Sequence, residues 1–87
     1  MANFDSFRVM RFDTVLAESS TVTLLVPSRL NCAVICMRNK QCMAMVVLAN
    51  RGKFVCQFAG KKARCLEKKD VIMKEGGRLY EKKVSRS

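Results

Sequence analysis

Ser28-Arg29-Leu30-Asn31-Cys32-Ala33-Val34-Ile35-Cys36, followed by Asn39 and then by Cys42-Met43-Ala44-Met45-Val46-Val47-Leu48-Ala49, is the stretch on which the fold turns. Ser28 is a residue type that accepts a hydrogen bond from the unpaired amides at a helix start. A helix is therefore predicted over 29–39. Leu30, Ala33, Val34 and Met37 fall at i, i+3, i+4 and i+7 and make one apolar stripe. Cys32 and Cys36 sit one turn apart on the flank of that stripe. Arg38 and Lys40 place positive charge at the helix end, where the backbone dipole favours it. Cys42–Ala49 is rich in Val, Leu and Met and predicts a central strand.

Reading outward, Asn50-Arg51-Gly52-Lys53 is a hairpin turn with glycine where positive φ is needed. Phe54-Val55-Cys56-Gln57-Phe58 is the returning strand. Upstream, residues 7–16 favour a strand through Phe7, Val9, Phe12 and Val15, and 17–20 read as a turn. Residues 21–26 form a second strand, which Pro27 stops because proline lacks the ladder donor. Downstream, Gly60 to Gly77 reads as a long basic connection, anchored by Val71-Ile72-Met73 and closed by a turn at Gly76-Gly77. Residues 78–84 alternate and form the last strand, placed near a sheet edge by its lysines.

At 87 residues the chain is one small domain, 1–87. A chain of this size buries only about 60–65% of its unfolded surface, so its core is marginal and disulfides are a common remedy. Five cysteines suit that remedy but leave one over. Net charge is +10, with 17 Lys+Arg against 7 Asp+Glu. Residues 1–50 carry +2 and residues 51–87 carry +8, a field that draws polyanions. The longest wholly apolar run, Cys42–Ala49, falls far short of the roughly 20 residues that span a bilayer. Asp5, Arg8 and Arg11 interrupt the start of the chain, so no secretory signal is visible. A secreted, extracellular protein is expected, as a mature chain with an added start codon.

Four cysteines permit three pairings, and spacing alone does not choose between them. At this point the residues resemble the PAN/apple family. That family shows a serine-led helix with Cys-Ala-x-x-Cys, here Cys32-Ala33-Val34-Ile35-Cys36. A Cys-x-Ala strand follows, here Cys42-Met43-Ala44, then a Cys-x-Leu strand, here Cys56-Gln57-Phe58. The ending Leu79-Tyr80-Glu81-Lys82 is similar to the family's last strand, and the likeness spans about residues 7–84. Met45 stands where an aromatic is usual and Phe58 where leucine is usual. The extra cysteines that tie the termini of apple domains together are lacking, which makes this the simpler PAN type. The resemblance implies an α+β fold: about five antiparallel strands cradling a single helix, stapled by Cys32–Cys56 and Cys36–Cys42. It also implies a non-catalytic recognition or adhesion module that binds proteins or carbohydrates, some basic members taking heparin-like glycans.

The expected ligand contacts are Lys61, Lys62, Arg64, Lys68, Lys69, Lys82 and Lys83, facing an anionic glycan or an acidic protein surface. Lys74, Arg78 and Arg86 add to the same charge if the basic connection folds back along the last strand. Nucleic acid is disfavoured by the oxidised cysteines and the scarcity of stacking rings: Tyr80 is the one tyrosine and tryptophan is lacking. A four-thiolate zinc site suits the ligand number, but Cys42 and Cys56 are too far apart for the usual spacing. With no histidine, the common Cys–His nucleophile pair cannot form, and no enzymatic activity, metal or cofactor is expected. Met37, Met43 and Met45 are read as core fillers rather than a thioether metal site. Cys65, among Lys62, Arg64 and Lys68, is the odd thiol and is expected to be free or to link two chains in a disulfide-bonded homodimer. The alternative role is structural, an extracellular assembly protein joined through Cys65.

Overall fold

A computed structural model describes residues 6–18 and 21–83. Strands β1 (Phe7–Leu16) and β2 (Val22–Val26) precede helix α1 (Arg29–Arg38). Strands β3 (Ala44–Asn50), β4 (Lys53–Ala59) and β5 (Val71–Lys82) follow it. All pairings are antiparallel, in the order β1-β5-β3-β4-β2. Among the described residues no helix is long and apolar enough to cross a membrane. Ser19, Ser20, Val84 and Arg86 lie outside the described residues.

Helix α1 begins directly after Ser28, as predicted, but without a side-chain cap. Ser28 is extended (φ −147°, ψ 158°), and its hydroxyl meets Asn31 Oδ1 at 2.6 Å instead of capping a backbone amide. At the other end the Asn39 amide bonds back to the carbonyls of Ile35 and Cys36. The inward face is not the stripe expected from apolar spacing. Cys32, Ala33 and Cys36 are buried, whereas Leu30 and Met37 are 49% and 37% exposed. The helix is turned by roughly 100° from the Leu30–Met37 direction. Sulfur decides this rotation. Cys32 is bonded to Cys56 on β4 and Cys36 to Cys42 ahead of β3, with Cα separations of 5.6 and 5.3 Å. Two crosslinks on one helical face leave it no other orientation.

The sheet is covered on both sides. Against the helix lie Phe7, Met45, Val47, Cys56 and Tyr80. On the other side Ala44, Val46, Ala59 and Leu79 pack against Val15 and Leu16, from the far end of β1. The β1/β5 ribbon therefore bends back over the sheet. The bend sits where β1 passes from Phe12, opposite Arg78, to Thr14, opposite Met73, so that four residues of β5 face Asp13 alone. Asp13 adopts φ 53° and its carboxylate accepts from the Gly76 amide at 3.0 Å. Gly77 must be glycine here, since a Cβ would lie 2.6 Å from the Thr14 carbonyl oxygen. Gln57 ties the bent ribbon down: the Leu16 amide donates to its Oε1 at 2.8 Å, and its Nε2 donates to the Leu16 carbonyl at 3.0 Å.

One expectation is corrected. Gly76-Gly77 is a bulge inside one twelve-residue strand, not a turn between a connection and a separate strand. That strand, β5, is near an edge but does not form it: it lies one place in, between the edge strand β1 and β3. Lys82 closes the strand and Lys83 follows it, so both sit at its end rather than along an edge.

Candidate functional site

The end of β5 and the turn before it build a basic cleft. Gly60 and Lys61 leave β4 in a bend, and a short 3-10 turn, Ala63–Cys65, follows. Ala63 is buried in the core beneath the bent ribbon, which anchors the turn and projects Arg64 outward. Arg64 Nη2 meets Glu81 Oε2 at 2.8 Å, and its Nε meets Oε1 at 3.4 Å. Glu81 is only 5% exposed and faces Arg8 across the β1/β5 ladder. The Arg64 hydrogen bond holds the Glu81 carboxyl below the usual carboxylate range against the opposing pull of burial, and Glu81 in turn raises Arg64. Glu81 is thus a buried counter-charge that fixes a guanidinium, not a solvated offset to the lysines.

Arg8, Lys62, Arg64, Glu81, Lys82 and Lys83 line a cleft of about 340 Å³. Five cations surround one carboxylate that is already engaged, so the cleft keeps a strong positive field. Lys82 Nζ donates to the Asn39 carbonyl at 3.1 Å, at the C-terminal end of α1, and burial lowers its pKa. A guanidinium offers several coplanar donors and an ammonium offers rotatable ones, a mixture that suits sulfate or carboxylate oxygens.

Of the seven basic residues singled out in the sequence, Lys62, Arg64, Lys82 and Lys83 line this cleft. Lys61 is exposed beside it in sequence but does not line it. Lys68 and Lys69 belong to another 3-10 turn, Lys68–Asp70, which leads into the opposite end of β5. Arg78, also counted with the basic set, lies over the Phe12 ring at 5.7 Å instead. Arg8 was missed. It stands far from the basic segment in sequence, and only the pairing of Arg8 with Glu81 brings it in.

A larger groove of about 510 Å³ runs between the bent ribbon and β3–β4, over Val15, Leu48, Val55 and Ile72. Its charges, Glu18, Lys74 and Glu75, nearly cancel, so it lacks the field of the smaller cleft. The four paired cysteines leave no thiolate set for zinc, and among the described residues no group of three or more acidic or cysteine side chains could hold a metal ion. Met45 is fully buried in the core. Cys65 carries a free, exposed thiol beside Arg64. In comparisons with known proteins, no family model, no curated protein and no solved structure matches this chain.

Proposed function

We propose that this chain is a secreted, non-catalytic recognition module of PAN type that binds an anionic, heparin-like glycan, or an acidic protein face, in the basic cleft. The observation that carries the reading is convergence: Arg8, Lys62, Arg64, Lys82 and Lys83 come from three separate segments to one concavity. The PAN likeness is supported by the helix-to-sheet crosslinks Cys32–Cys56 and Cys36–Cys42 and by an antiparallel sheet of five strands. Crosslinks of this kind persist in oxidising compartments, which supports secretion.

Binding of a polyanion to such a cleft releases condensed counterions, so affinity falls steeply with salt. The test compares heparin resin with a sulfonate exchanger of equal charge density. Later elution from heparin is expected, and Lys62→Gln with Lys83→Gln should remove that difference while sparing the fold. Elution from heparin no later than from the exchanger refutes a glycan site.

A second reading is favoured by one observation, the exposed thiol of Cys65. In that reading the chain is an assembly protein whose copies are joined by a Cys65–Cys65 disulfide. A covalent dimer on a non-reducing gel, lost in Cys65→Ser, supports it; a monomeric band opposes it.

A further inference from the structure

The two edges of the sheet are built differently. The β1 edge carries Arg8 and Arg11 and is broken by two register shifts. Charges and bulges of this kind keep a foreign strand from adding to an edge. The β2 edge has neither. Val22-Thr23-Leu24-Leu25-Val26 pairs with β4 in unbroken register and contains no charged residue and no proline. Val22, Leu24 and Leu25 are 65%, 40% and 58% exposed. Among the described residues nothing pairs with its outer side.

The direction of its free backbone groups follows from β4. The Phe58 amide donates to Thr21 Oγ1 at 2.7 Å, and the Phe58 carbonyl accepts from the same hydroxyl. Phe58 therefore turns its backbone groups toward β2, as do Cys56 and Phe54 by alternation. Their partners Leu24 and Val26 face inward. The amide and carbonyl groups of Thr23 and Leu25 then point to the open side.

We propose that β2 is a self-association edge, at which a second copy of this chain adds antiparallel to make a continuous ten-stranded sheet. The strand is its own complement. A two-fold axis at Leu24 sets Thr23 of one copy against Leu25 of the other, and each such pair exchanges two backbone hydrogen bonds. The same axis sets Leu24 against Leu24 and Val22 against Val26, apolar cross-strand pairs on one face. An acidic partner finds no cation on β2, whereas a second copy finds a matching apolar strand. A five-residue edge is small beside the roughly 1,200 Å² at the low end of stable interfaces, so the dimer is weak.

Sedimentation of the full oxidised chain, from about 10 µM to about 1 mM, tests this in the concentration range where a small interface registers. Reversible dimerisation is expected, undiminished as salt rises, because the contact is apolar and salt screens the +10 charge of each copy. Thr23→Pro removes an amide that only the second copy uses, and should raise the dissociation constant by about tenfold or more. Leu25→Lys should do the same without altering the backbone. Native disulfide mass and circular dichroism establish that each variant is folded. Monomer throughout the range overturns the proposal. So does a dimer that survives both β2 variants, or one that Cys65→Ser abolishes.

Discussion

Replacing Gln57 by leucine tests whether the bent ribbon is held by one side chain. Gln57 is 7% exposed, and its amide makes both an accepting and a donating bond to the backbone of Leu16, itself 1% exposed. Leucine has similar bulk, so the cavity term is small. The two hydrogen bonds are lost, and the Leu16 amide and carbonyl stay buried without them. Each stranded group costs about 1–3 kcal/mol, so the loss is about 2–6 kcal/mol. A domain of this length has a total stability of roughly 4–13 kcal/mol, so the change is large. Urea unfolding of the oxidised protein measures it, and amide hydrogen exchange at Leu16 locates it. Gln57→Glu adds a signature. The carboxylate keeps the acceptor for the Leu16 amide but sets a second acceptor against the Leu16 carbonyl. Burial and that repulsion raise its pKa, so this variant should be weakest at neutral pH and recover as acid restores a donor. A Gln57→Leu loss below about 0.5 kcal/mol, with Leu16 exchange as slow as in the parent, refutes the argument, since ordinary surface changes reach that size.

Two further outcomes follow from the crosslinks and the half-buried Arg64–Glu81 ion pair. Cys32–Cys56 closes a sequence separation of 24 residues and Cys36–Cys42 one of 6. Loop-closure entropy gives about 3 and about 2 kcal/mol respectively, so the Cys32→Ala/Cys56→Ala variant should unfold at lower urea than Cys36→Ala/Cys42→Ala; the reverse order argues against an entropic origin. Glu81 has a depressed pKa in the folded chain, so its contribution is complete above the unfolded carboxylate range and is lost as pH falls through the lower folded value. Arg64→Gln should therefore lower the thermal midpoint most near neutral pH, and the gap to the parent should narrow on acidification; a gap constant with pH rejects the pair as its cause.

Local signals in the sequence carried the elements well. Aromatic and β-branched residues mark β1, Pro27 ends β2, and Gly52, at φ 81°, closes the β3–β4 hairpin. Helix α1 begins at Arg29, just after Ser28, and ends one residue short of the expected 39. The failures share a physical cause: long-range partners outweigh local patterns. Apolar spacing pointed Leu30 and Met37 inward, but cysteine is a small hydrophobe whose bonding partner, not its transfer energy, sets the helix rotation. Lysines placed β5 near an edge, and it lies one strand in from it, because β1 pairs along its outer side. Gly76-Gly77 has turn composition, and the same freedom at φ 88° serves a bulge equally well. In the cleft, Lys62, Arg64, Lys82 and Lys83 were legible as a charge run. Arg8 and Glu81 were not, because one reaches the site through strand pairing and the other is removed from water by it. Gln57 reads as an ordinary polar interruption of a strand until Leu16 lies over it.

The distribution of sulfur between the two sides of the sheet has its own outcome. All four crosslinked cysteines belong to the packing beneath α1, and the packing beneath the bent ribbon contains none. A thiol reductant therefore attacks the molecule asymmetrically: it unlatches the helical cover while Leu16, Val46 and Leu79 remain laminated. The basic cleft borrows from both halves, taking Arg64 from the side without crosslinks and Lys82 from beside the helix end. Loss of the latches would splay that cationic mouth before the strands themselves come apart.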